Sequence, residues 1–162
     1  MNKKHFFSLN SLKPQKSGNG GNRTSVTKNE VSSLDKISLE SLRLKKGSSL
    51  EPIWHPNANK IGYCLQGKAL VTVLTPSFHD VAELRPGEGA FAPASYFHYI
   101  ENLTKDNAEI AAFFSHPDPD YIGVGQAVSE CSKEVLASTF NRPVEFFNKF
   151  IPPTGPVVIA GG

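Results

Sequence analysis

The sequence predicts an all-β domain, an antiparallel sandwich or barrel with short helices only near its C-terminal end. Apolar residues alternate with polar ones in several short runs, and those runs follow one another closely. Between them lie turn signals, among them Gln66-Gly67, Pro76-Ser77, Arg85-Pro86-Gly87, Pro93-Ala94-Ser95 and Lys105-Asp106-Asn107. Period-two runs with Gly and Pro punctuation describe short strands joined by tight turns.

Residues 1–13 read as an N-terminal docking segment, since Phe6, Phe7 and Leu9 are apolar enough to lie on a surface. Residues 14–30, "PQKSGNGGNRTSVTKNE", lack large apolar groups and predict a flexible arm or loop. The barrel is expected over 31–130. Its first strand begins at Ile37, where Ile37 and Leu39 alternate with Ser38 and Glu40 before an apparent phase shift to Leu42 and Leu44. Further strands are expected at Ile61–Leu65, Ala69–Leu74, Asp80–Leu84, Gly89–Ala92, Tyr99–Asn102 and Glu109–Phe114. Two helices should fill 131–150: Ser132 is a natural N-cap ahead of Glu134, Val135, Leu136 and Phe140, and Pro143 suits the first turn of "RPVEFFNKF". Residues 151–162 form a tail.

A length of 162 residues accommodates one ordinary domain. With 39% hydrophobic and 20% charged residues and a net charge of +2, the composition indicates neither disorder nor a membrane protein. The basic residues are dispersed, so no nucleic-acid partner is expected. No apolar stretch reaches spanning length, and the N-terminal apolar run is broken by Ser8, Asn10 and Ser11 before it could serve as a secretion signal. Cys64 and Cys131 form no CxxC motif and read as two buried reduced thiols. The expected location is the cytoplasm.

The stretch "EPIWHPNANKIGYCLQGKALVTV" carries the chemistry. Gly47 is followed by five residues, then Ile53-Trp54-His55, four residues, Lys60, six residues and Gly67. Downstream, Gly87, Pro93, His98 and Asn102 form a second spaced set, with Ser95 between them. These sets resemble the two sequence motifs of the cupin family, and the surrounding residues are most similar to its germin and oxalate decarboxylase branch. The first family motif has His-x-His and a glutamate where this chain has Ile53, His55 and Lys60; the second has glycine at Ser95.

The resemblance implies a double-stranded β-helix, the jelly-roll barrel, with the motif residues in its mouth. It also implies an N3O metal site, whose four positions here hold Ile53, His55, Lys60 and His98. Isoleucine does not ligate. An ammonium about 4 Å from a divalent ion, at an effective dielectric near 20, would add roughly 8 kcal/mol of repulsion. The cofactor expectation is therefore none, with manganese, iron or zinc as the alternative, bound weakly by His55 and His98 with Asn59 as a substitute oxygen donor. Where decarboxylases look to a nearby glutamate, the strand positions Ala111 and Ala112 carry no acid, and only Asp118 and Asp120 on the next loop could supply a proton.

The expected ligand pocket comprises His55, His98, Lys60, Ile53 and Asn59, with no catalytic residue among them. Lys60 reads either as an anchor for a carboxylate or as a surface lysine snorkelling at a strand edge. His79 and His116 are expected at the surface, Trp54 on an outer sheet face, and Tyr63, Phe91, Phe97 and Tyr99 in core or rim packing. The favoured function is a non-decarboxylating protein that binds a small organic acid or other small molecule, or a homodimeric interaction module. The alternative is a metal-dependent carboxy-lyase or oxidoreductase.

Overall fold

A computed structural model describes residues 5–149 and the backbone of 158–159. Two antiparallel sheets face each other. The first contains β1 (Lys16–Gly18), β2 (Gly21–Val26), β3 (Ser38–Leu44), β5 (Lys60–Gln66), β8 (Gly89–Ala92) and β10 (Ala108–Phe114), in the order β1-β2-β3-β10-β5-β8. The second contains β4 (Ser49–Trp54), β6 (Ala69–Leu74), β7 (His79–Leu84), β9 (His98–Glu101) and β11 (Ile122–Gly123), in the order β11-β4-β9-β6-β7; β12 (Val158–Ile159) also pairs with β4. This is the all-β architecture expected, with Leu42, Leu44, Leu50, Ile53, Ile100 and Ile110 meeting between the sheets.

Two motif positions have structural explanations. The fully buried Asn102 amide donates to the carbonyls of Leu44, Lys45 and Asp106, while its Oδ1 accepts from the Thr104 amide and hydroxyl. One side chain thereby ties the β3–β4 turn to the β9–β10 loop. Ser95 adopts φ 66°, a left-handed conformation that favours glycine, and its N–H donates to the His55 carbonyl at 2.8 Å. The two motif segments are thus joined through backbone.

The N-terminal expectation needs correction. Residues 21–26 form β2, which pairs with β3 in continuous register, so 14–30 is not a free arm. The phase shift expected in β3 is also absent: Ser38, Glu40, Leu42 and Leu44 are all buried, and Ile37 is 58% exposed. Glu40 points inward because Arg23 faces it from β2, a pairing without local signature. Phe6 and Phe7 are exposed. Tyr63 and Phe91 also lie outward rather than in the core, at 41% and 55% exposure.

Beyond the barrel, α1 spans Val124–Ser129 and α2 spans Lys133–Phe140. Ser132 caps α2 by accepting from the Val135 N–H, as expected. The second segment is a 3-10 helix over Val144–Lys149, whose Phe147 packs with Leu136 and Ala137 in a small core of its own. Most of the 151–162 tail lies outside the described residues. Among the described residues, no helix is long and apolar enough to cross a membrane.

Candidate functional site

Strand alternation places His98 and Ile53 directly opposite one another in the β9–β4 pair, both facing inward. His55 follows from the end of β4, and Lys60 opens β5. Ile53, His55, Lys60 and His98 are all buried, and Lys60, at 3% exposure, is no surface lysine. Asn59 is elsewhere. Its side chain is at the surface, where Oδ1 accepts from the Ala94 N–H at 2.9 Å, so it steadies the loop before β9 and does not face the interior. Periodicity explains the difference: consecutive strand residues point to opposite sides.

The imidazole rings stand 5.2 Å apart between centroids. His55 Nδ1 lies 2.8 Å from the Asp120 carbonyl and His98 Nδ1 lies 3.0 Å from the Tyr96 carbonyl. A carbonyl oxygen only accepts, so both Nδ1 atoms carry the proton. Each neutral ring then presents an Nε2 lone pair, and neither Nε2 has a hydrogen-bond partner. Burial, reinforced by the nearby Lys60 charge, lowers His55 to about 2 against the pull of the Asp120 carbonyl. The same two causes lower His98 to about 3. Both rings are therefore neutral near pH 7.

Lys60 belongs to a buried polar group that the sequence did not reveal. Glu40 on β3 and Lys60 on β5 flank β10, opposite Ala112 and Phe114 respectively. The neighbouring strand thus supplies the interior acid that Ala111 and Ala112 lack. Glu40 accepts a hydrogen bond from the Tyr121 hydroxyl, and Arg23 Nε lies 3.5 Å from Glu40 Oε2. The Arg23 guanidinium stacks on the Tyr121 ring, 3.9 Å from its centroid. Burial depresses the Lys60 ammonium, with Glu40 opposing and Arg23 adding to the shift. Burial and then the Glu40 charge raise the Tyr121 phenol, so it remains a donor.

Phe114 and Tyr121 meet His55 edge-on, at 5.0 and 4.5 Å between centroids, and close the barrel over it. Below them, a cavity of about 20 Å³ lies among Lys60, His98 and the apolar Val71, Val73, Ile100 and Ile110. A larger space of about 230 Å³ lies at the mouth, bounded by Arg23, Ser25, Thr27, Ser38, Phe114 and Tyr121. Asp118 and Asp120 are exposed on their loop, as is His79; Asp120 reaches the interior only through its carbonyl. Among the described residues, no group of three or more His, Cys, Asp or Glu side chains is placed to hold a metal.

Two antiparallel sheets closed around a buried polar interior define a jelly-roll barrel. The chain belongs to the cupin family, whose model matches residues 7–145. It is similar to glycinin G3 of Glycine max, 30% identical over 132 residues, or 73% of this chain and 27% of that protein. It is also similar to an oxalate decarboxylase of Arthroderma benhamiae, 25% identical over 134 residues, 82% of this chain and 32% of that protein. Oxalate decarboxylase from Bacillus subtilis at pH 4.6 superposes with a TM-score of 0.86 at 18% identity, covering 95% of this chain and 40% of that one. A study of the Mn(II) centres of the same enzyme gives 0.86 at 19% identity, over 95% of this chain and 41% of that one. These structural likenesses show the fold alone. The chain spans well under half the length of these relatives, from 27% to 41%.

Proposed function

We propose that this cupin does not decarboxylate and serves instead to bind a small organic acid, working as a homodimer in the reducing cytoplasm. The observation that carries this reading is the buried Lys60 side chain near His55 and His98, where the family motif has a carboxylate, with Ile53 opposite His98. Two neutral imidazoles are suitable metal donors, but the set offers no third His, Cys, Asp or Glu ligand and places a lysine where a carboxylate would be needed. The residues present do not fit the four-ligand metal site of the family resemblance. Glu40 does not repair it: Arg23 and Tyr121 engage its Oε2, and among the described residues it is not grouped with two other His, Cys, Asp or Glu side chains that could hold a metal.

The homodimer is supported by the outer face of the first sheet. Phe113, Ile61 and Phe91 occupy one register row across β10, β5 and β8, each at least half exposed, and Leu65 adds to them. An apolar row of this kind is stabilised by removal from water. The reducing location is supported by two free cysteines; Cys64 is buried as expected, whereas Cys131, just after α1, is exposed.

A second reading, a metal-dependent cupin enzyme, is favoured by the two inward Nε2 lone pairs without partners. Metal analysis of the purified protein, with His98→Ala as control, separates the readings. The expected result is no stoichiometric metal in either protein. Stoichiometric manganese, iron or zinc that disappears in the variant would sink the first reading.

A further inference from the structure

Two basic side chains, Arg23 and Lys60, and two carboxylates, Glu40 and Glu51, are buried, while both imidazoles are neutral. A buried guanidinium attracts an anion. The deep cavity is a poor place for one. Its 20 Å³ is room for about one water, and two imidazole lone pairs near it repel negative charge.

The mouth is better suited. Arg23 is 7% exposed, stacked on Tyr121 and anchored by the 3.5 Å contact of its Nε to Glu40, and its side chain lines this space. A guanidinium fixed in this way is a charge-assisted donor for a carboxylate. Phe114 and Tyr121 offer apolar surface beside it. Two acids also line the space. Glu30 is turned toward its own turn, accepting from the Thr27 N–H and hydroxyl, whereas Asp118 is exposed and disfavours a second negative charge on a ligand.

We propose that the cavity at the barrel mouth binds a small monocarboxylate, with the Arg23 guanidinium holding the carboxylate and Phe114 and Tyr121 packing against its apolar part. The proposal rests on the organic-acid reading above and moves the ligand from the space beside His55 and His98 to the vestibule over them.

The test is calorimetric titration of the full chain with propionate and with oxalate. It is repeated on Arg23→Lys, which keeps the charge and loses the guanidinium, and on Arg23→Gln/Glu40→Gln, which removes the ion pair as a unit; thermal melts confirm folding. Propionate is expected to bind with one site per chain, more tightly than oxalate, and to weaken about tenfold or more in both variants. Propionate affinity unchanged in both Arg23 variants but abolished by Lys60→Met would overturn the vestibule and leave the organic-acid reading standing. If neither acid binds the unaltered chain, both fail.

Discussion

The Tyr121 hydroxyl donates to the Glu40 carboxylate across 81 positions of sequence, joining the loop before β11 to the inward face of β3. With Arg23 stacked on the same ring, the three side chains hold the lid of the barrel to its wall. Tyr121→Phe removes one hydrogen bond to a buried carboxylate and should cost about 1–3 kcal/mol in urea unfolding. Glu40→Ala should cost more, about 3–5 kcal/mol, because it leaves Arg23 buried without a counter-charge. Equal losses in the two variants would contradict this order.

Acid should destabilise the protein through His55 and His98. Their folded values, about 2 and about 3, lie below the ordinary 6.5, so between those limits the unfolded chain binds protons that the native barrel refuses. Stability therefore rises with pH in that window and is lost as pH falls from about 6.5, by up to about 1.4 kcal/mol per pH unit per histidine. Denaturant melts from pH 7 to pH 4 read this slope. His98→Ala should make it shallower, and an unchanged slope would exclude this histidine as a source.

Lys60→Glu exchanges an ammonium for a carboxylate beside two ligand-ready imidazoles. Zinc or manganese affinity should rise from undetectable to measurable in equilibrium dialysis, and His98→Ala in that background should abolish it. Absence of any gain would identify Ile53, and not charge, as the main obstacle.

The apolar row on the first sheet predicts a concentration-dependent dimer. Burying Ile61, Phe91 and Phe113 would contribute about 1.5–3 kcal/mol each, before the cost of association. Light scattering at micromolar concentration should give twice the chain mass, and Ile61→Glu, opposite Phe91 and Phe113, should halve it. A monomeric unaltered chain at high concentration would reject the dimer.

The strands from β5 to β10 were legible because their turns are written in Gly, Pro and Asn, and α2 because Ser132 caps it in the ordinary way. The spacing of the two motifs located His55, Lys60 and His98. What the sequence concealed were partnerships between distant charges. Glu40 resembled an outward residue followed by a phase slip because nothing near it announces Arg23. Arg23 in turn sat in a polar segment that resembles a loop, since its strand buries polar residues. Tyr121 arrives from a Pro-rich loop, where aromatic residues carry no periodic signal. Asn59 was misplaced for a simpler reason: it immediately precedes the strand that Lys60 opens, and neighbouring extended residues point to opposite sides.

The directly opposed pair Ile53 and His98 has an implication for how such a barrel changes over generations. Assembling four ligands here would require substitutions at both Ile53 and Lys60, and neither step is neutral alone. A histidine at Ile53 would add another polar ring to a packed interior still holding the ammonium. A glutamate at Lys60 would set a second carboxylate near Glu40. Either single mutant is expected to be less stable than its parent without yet having a complete site. Substitutions at the mouth carry no such double requirement.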